Sequence, residues 1–189
     1  MSQTCGAHCT KCPLGAKAPK ALNNVNGWGN PQAKFVILLD EPGNVLAEKL
    51  LIWLLKRMSL GGNDVWIDYV FKCELPYHEP KKKELQHPLG ECWKHYPRTQ
   101  VFDSKSLVII GNWGCQFIAG AKMKTAHGKK DVEKECWVAY SLLYLLMNPA
   151  ECVEMSCVLW TAAEEAGLHP VVNLNVEPFR FPSKKLVGG

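Results

Sequence analysis

This sequence predicts an α/β fold: three αβα layers around a central, mainly parallel four-stranded sheet. Three observations lead there. Short apolar runs alternate with amphipathic stretches along the chain. The runs are apolar throughout rather than every second residue, as strands covered on both faces are. Turn residues such as Asp40-Glu41-Pro42-Gly43 and Gly111 close them. Alternation of this kind implies a parallel sheet with helices on both sides.

The elements follow in order. Residues 1–33 are irregular, with Gly, Asn and Pro throughout. Lys34 to Leu39 (K-F-V-I-L-L) is the first buried strand. Val45 to Met58 carries apolar residues at helical spacing, with Gly61-Gly62 just past its end. Val65 to Phe71 is the second strand, and residues 74–90 are a polar loop with Pro76, Pro80 and Pro88. Cys92 to Val101 is helical despite Pro97. Leu107 to Ile110 is the third strand, Trp113 to Ala121 a short helix, and Ala121 to Lys134 a charged loop. Trp137 to Met147 holds the fourth strand, ending at Asn148-Pro149-Ala150. Glu151 to Ala166 is a helix with Cys152, Met155, Leu159 and Ala162/Ala163 on one face. The tail, 170–189, is extended. Ligands of such sheets gather at the carboxyl ends of the strands, here Asp40–Gly43, Phe71–Cys73, Gly111–Trp113 and Asn148–Ala150.

The 189 residues are enough for one domain with a real core. A hydrophobic content of 47% with 21% charged residues is that of a soluble globular protein. No apolar run reaches membrane-spanning length, and the N-terminus lacks a signal-peptide core. The nine cysteines, an odd number, argue against a disulfide framework. A cytoplasmic, reducing environment and a monomer are therefore expected. A net charge of +4, with pI near 8.5, permits a polyanionic partner without demanding one.

Cysteine spacing is the most informative pattern. Cys9 and Cys12 form a C-x-x-C pair in H-C-T-K-C-P-L, and Cys73 and Cys92 flank the proline- and lysine-rich stretch. Four thiolates so arranged can hold a [4Fe–4S] cluster or one zinc ion. The alternative is four unrelated buried cysteines. His78, His87 and His95 lie close enough in sequence to join a Cys/His zinc site, and Cys5 is near enough to replace a ligand. Cys115, Cys136, Cys152 and Cys157 are expected in the core.

The order of these motifs resembles one family, the iron–sulfur uracil-DNA glycosylases. Cys9-Thr10-Lys11-Cys12-Pro13-Leu14 is similar to its C-x-x-C-x-L opening. Asp40-Glu41-Pro42-Gly43 resembles its G-E-A-P-G motif, and Val65 to Cys73 its strand ending in K-C. Gly29 to Lys34 precedes the first strand as in the family, and Leu107 to Gly111 and Met147 to Ala150 resemble its third strand and its H-P-containing motif. The resemblance runs from residue 9 to about 155. It implies a uracil-DNA-glycosylase-like domain over 1–189, with a cluster-binding segment 1–33. It also implies a [4Fe–4S] cluster, rather than zinc, on Cys9, Cys12, Cys73 and Cys92.

The departures from the family bear on activity. A glycosylase flips a nucleotide out of the stack and stabilises a departing base anion. Asp40 stands where the family has a water-positioning Glu, and Glu41 beside it can serve instead. Tyr69 aligns with the uracil-reading Asn, replacing a paired donor and acceptor by a phenol. Asn148 aligns with a His and cannot carry its positive charge. The family's G-x-P-F-x-G segment, whose Phe stacks on the base, has no counterpart between Gly43 and Val45. Trp113, after the third strand, faces the expected pocket end, where the two readings are stacking on a base and packing in the core, the second favoured. Lys81, Lys82 and Lys83 are candidate phosphate contacts, as are Lys129 and Lys130 in a second basic stretch with Lys122, Lys124 and His127.

The expected function is DNA binding by a divergent glycosylase-fold protein whose uracil excision is lost or altered. One rival is an active DNA glycosylase, a hydrolase acting in DNA repair on uracil or a modified pyrimidine through Asp40 and Asn148. The other is a metal-stabilised module for a protein partner.

Overall fold

The computed structural model describes residues 9–17, 25–75, 81–96 and 99–182. Cys5, Pro76, His78, Pro80, Pro97 and the last seven residues of the tail lie outside the described residues. The chain is mixed α/β. It runs through helix α1 (Pro13–Lys17), strands β1 (Trp28–Gly29) and β2 (Phe35–Leu39), helix α2 (Val45–Arg57) and strand β3 (Val65–Tyr69). Helices α3 (Lys82–His95) and α4 (Thr99–Phe102) lead to β4 (Ser106–Ile110). A short helix, α5 (Asn112–Gly114), continues as a π turn over Cys115–Ala119. Then come α6 (Met123–Ala126), β5 (Lys129–Asp131), β6 (Cys136–Ala139), α7 (Leu142–Met147) and α8 (Cys152–Glu165), the last entered through one 3₁₀ turn.

The sheet has six strands in the order β1-β3-β2-β4-β6-β5. β3, β2, β4 and β6 run parallel to their neighbours, while the edge strands β1 and β5 are antiparallel. The expected four-stranded sheet is thus extended at both edges. Edge strands of two and three residues are too short to show any periodicity, and the exposed lysines of β5 blunt that edge against further pairing.

Every residue of β2 and of β4 is buried, as their apolar runs, Phe35–Leu39 and Leu107–Ile110, require. Alternate residues serve two cores. Phe35, Ile37 and Leu39 face one cluster with Leu50, Leu51 and Leu54 of α2 and Met155 and Leu159 of α8. Val36 and Leu38 face the other with Leu85 of α3, Ile109 and Cys115. Cys152, Met155, Leu159, Ala162 and Ala163 of α8 are all buried, the face the helical spacing gives. Cys157 is exposed rather than in the core. It lies five residues after Cys152, about 140° round the helix from it.

Several expected elements differ. The segment 1–33, expected to be irregular, holds α1 and β1, and the helix expected over Cys92 to Val101 is divided between the end of α3 at His95 and α4 from Thr99. The run Trp137 to Met147 is not one strand: β6 stops at Ala139, and Ser141 caps α7, its side chain accepting from Tyr144 N at 3.2 Å. Asn148 is therefore the C-cap of a helix, not a strand end. Much of the expected 74–90 loop belongs to α3, which starts at Lys82 and carries Pro88 inside it. The Lys81 N–H is capped by Glu84 Oε2 at 2.9 Å. The 121–134 loop contains α6 and β5. No helix among the described residues is long and apolar enough to cross a membrane.

Candidate functional site

The chain passes from β2 to β3 on one side, then returns past β2 to β4 on the other. Such a reversal opens a crevice between the carboxyl ends of the two diverging strands. Leu39 pairs with both Tyr69 and Ile110, and Ile110 with Ala139, so the four parallel strands end level. The residues that follow are brought to one edge.

Asp40, first after β2, reaches across the crevice. Its Oδ2 accepts from Trp113 N at 3.0 Å and its Oδ1 from Gly114 N at 2.7 Å, in the segment after β4. Gly111 makes this approach possible. Its φ is +128°, and a Cβ there would lie 2.3 Å from the Asp40 carboxyl carbon. Burial pushes the Asp40 carboxyl up to about 6, against the lowering effect of the N–H groups of Gly114, Trp113 and Asn112. Glu41, next in the chain, accepts from Leu75 N at 2.6 Å. Burial pushes it up to about 7, with the charges of Asp40 and Glu74 adding and the Leu75 bond opposing.

Both carboxyls line a cavity of about 220 Å³ together with Asn44, Glu48, Asn112 and Trp113. Leu39, Ile110, Leu142 and Leu143 provide apolar wall. Sites for drug-sized ligands span roughly 300–1,000 Å³, so this one suits a single ring. Trp113 stacks on Phe117, with ring centroids 6.1 Å apart and planes 30° apart.

Tyr69 does not line that cavity. Its side chain is completely buried in the core. Its hydroxyl donates to Glu48 Oε1 at 2.9 Å and accepts a side-chain bond from Trp28. Burial, then the Glu48 charge, hold its phenol far above the usual range. Asn148 is also absent from the cavity lining. Its Nδ2 donates back to Tyr144 O at 3.0 Å, at the far end of α7 from Ser141 and Leu142.

The lysines divide. Lys81, Lys82 and Lys83 are all exposed at the start of α3. The Lys82 ammonium donates to Gln116 O at 3.3 Å and sits 5.4 Å from the centre of the Phe117 ring, beside Trp113. Lys129 and Lys130 are both exposed, and Lys130 is paired with Glu165 at 2.9 Å.

The four cysteines belong to segments tied to the end of β3. Cys9 and Cys73 are buried, Cys12 and Cys92 half-buried, and none is in a disulfide. Leu14 of α1 joins the core cluster of Phe71, Leu75, Leu89 and Trp93. Trp93, beside Cys92, donates to Val70 O at 3.0 Å, and Val25 N donates to Lys72 O at 2.8 Å. Lys72 itself forms a buried ion pair with Asp68. A tetrahedral zinc ion needs its sulfurs about 3.8 Å apart. Among the described residues no three of these sulfurs lie within 4.8 Å of one another.

One tight polar grouping lies elsewhere: His127, Glu151 and Glu154 present ligand atoms within 4.8 Å. His127 is not part of an exposed basic loop, for its side chain is 6% exposed. Its Nδ1 accepts from Tyr140 N at 3.0 Å, so the ring proton resides on Nε2, 3.3 Å from Glu154. An Nε2 that keeps its proton has no lone pair for a metal, and ligating histidines donate from the other nitrogen.

Sequence reasoning had not singled out Glu48, Asn44 or Asn112. Glu48 reads as an ordinary acid in the first turn of a helix, and only Tyr69 beneath it distinguishes it. No protein-family model matches this chain, and no curated protein matches it either.

Proposed function

We propose that this chain is a DNA-binding protein of the iron–sulfur uracil-DNA-glycosylase kind, in which uracil excision is lost or altered. The observation that carries the reading is the crevice at the sheet's carboxyl edge. There Asp40 bonds to Trp113 and Gly114, and a ring-sized cavity is lined by Trp113, whose ring stacks on Phe117 with the Lys82 ammonium over the latter. An aromatic stack flanked by exposed cations suits bases and phosphates of nucleic acid. Tyr69, sealed in the core, and Asn148, folded back on α7, do not line this pocket, which supports a loss or change of the contacts that the family's Asn and His make to uracil.

Cys9, Cys12, Cys73 and Cys92 are the proposed ligands of a [4Fe–4S] cluster. The thiolate donor set, its burial and the anchoring of all its segments to the end of β3 support this. When bound, the cluster would pin α1 and α3 beside the crevice. In this reading α3 presents Lys81, Lys82 and Lys83 to phosphates.

The active-glycosylase reading has one observation in its favour. Asp40 and Glu41, pushed up to about 6 and about 7, lie in the range useful for acid–base work near neutrality. Incubation with uracil-containing oligonucleotides, followed by alkali, separates the two. Salt-sensitive binding without strand cleavage is expected. Cleavage abolished by Asp40→Asn would establish the enzyme.

A further inference from the structure

Resting on the cavity beside Asp40 as a base pocket, we infer that it takes a nucleobase bearing an exocyclic amino group, as cytosine does, and that Glu48 selects it. Most acceptors of the wall are already committed, while the side-chain amides of Asn44 and Asn112 add neutral donors. Asp40 takes two backbone N–H bonds and Glu41 takes one. Asn44 Oδ1 caps α2 through Ala47 N at 2.9 Å, and Ser141 Oγ caps α7. Glu48 differs. Oε1 is held by the Tyr69 hydroxyl at 2.9 Å, while Oε2 has no hydrogen bond among the described residues. Tyr69 is fixed in turn by complete burial and by Trp28, so the carboxylate is held in one orientation. Among the described residues no lysine, arginine or histidine lines the cavity.

A carboxylate is an acceptor only. It accepts from an amino group such as that on the cytosine edge. Uracil offers it only the ring N3–H, flanked by two carbonyl oxygens that repel it. Glu48 therefore favours an amino-bearing base over uracil for a reason independent of the altered family motifs.

Equilibrium dialysis of 2′-deoxycytidine and 2′-deoxyuridine against the whole protein tests this, with a salt-dependent DNA mobility shift run on the same preparation. Deoxycytidine should bind about tenfold more tightly, the worth of a charge-assisted bond. Glu48→Gln keeps an oxygen for Tyr69 and turns an N–H₂ group to the ring. Deoxycytidine should then weaken about tenfold and deoxyuridine gain. Tyr69→Phe frees Glu48 to rotate and should narrow the ratio without reversing it. Equal binding of both nucleosides by the parent, or a ratio unmoved by Glu48→Gln, overturns the inference. A DNA shift with neither nucleoside bound at millimolar concentration also overturns it, leaving the DNA-binding reading intact. Selective nucleoside binding that inverts in Glu48→Gln, with no DNA shift at low salt, upholds the pocket chemistry and overturns DNA binding instead.

Discussion

Asp40 and Gly114, 74 residues apart in sequence, are joined by a 2.7 Å hydrogen bond across the point where the sheet reverses direction. The bond ties the turn after β2 to the turn after β4. Asp40 thus shapes the wall of the cavity whether or not it takes part in any reaction.

Gly111→Ala tests that contact. The added Cβ would meet the Asp40 carboxyl at 2.3 Å, in a backbone conformation that disfavours side chains. A loss of about 1–3 kcal/mol is expected in denaturant unfolding. Gly120→Ala also places a side chain at positive φ but meets nothing within 4 Å, so it should cost less.

Stability should depend on pH through Asp40 and Glu41. Both are raised above their unfolded values, from 3.8 to about 6 and from 4.5 to about 7. The folded state then binds more protons than the unfolded state between about pH 4 and 7, so their contribution falls as pH rises. It is fully present below pH 4 and lost above 7. Glu165 opposes it, since its lowered pKa makes stability fall as pH drops. The measurement is the difference in Tm between parent and Glu41→Gln across pH 4–8. The parent should lose ground relative to the variant as pH rises, and a flat difference would remove the assigned shift.

Replacing Cys73 or Cys92 by Ala should abolish iron binding in anaerobically purified protein and lower stability strongly. Cys157→Ala, on the exposed face of α8, should leave metal content unchanged. Stoichiometric zinc without iron in the parent would sink the cluster assignment.

Lys82, seated over Phe117, should matter more to DNA affinity than Lys129 on the far edge strand. Reversal of Lys81, Lys82 and Lys83 to Glu should weaken binding on all sequences alike and flatten the salt dependence by about 2–3 in log–log slope. A triple variant that binds as the parent does would make the start of α3 solvated surface only.

Much of the fold was legible in sequence where burial dictates composition. The runs of β2 and β4 are apolar because both faces are covered, and the α8 stripe repeats at helical spacing. The segment 137–147 was opaque because β6 and α7 are both apolar. Only Ser141, ahead of Leu142, Leu145 and Leu146, marks the change of period. Pro88 and three lysines made the start of α3 look like a loop, though Pro88 falls in its second turn and Leu85 is the buried anchor. Asp40, Glu41 and Trp113 were found by their place at strand ends. Asn148 reads as a strand end and caps a helix instead, and the orientation of Glu48 depends on a tyrosine hidden beneath it.

The most direct test of the central claim is one reaction series. Anaerobically prepared, iron-loaded protein is titrated onto a uracil-containing oligonucleotide at several salt concentrations, then assayed for alkali-sensitive sites. The account predicts binding that weakens steeply with salt, and no excision by the parent or by Asn148→His, whose side chain starts from the far end of α7. Robust excision by the parent, abolished by Asp40→Asn, would contradict the loss of uracil chemistry, and absence of binding at every salt concentration would contradict the DNA-binding role.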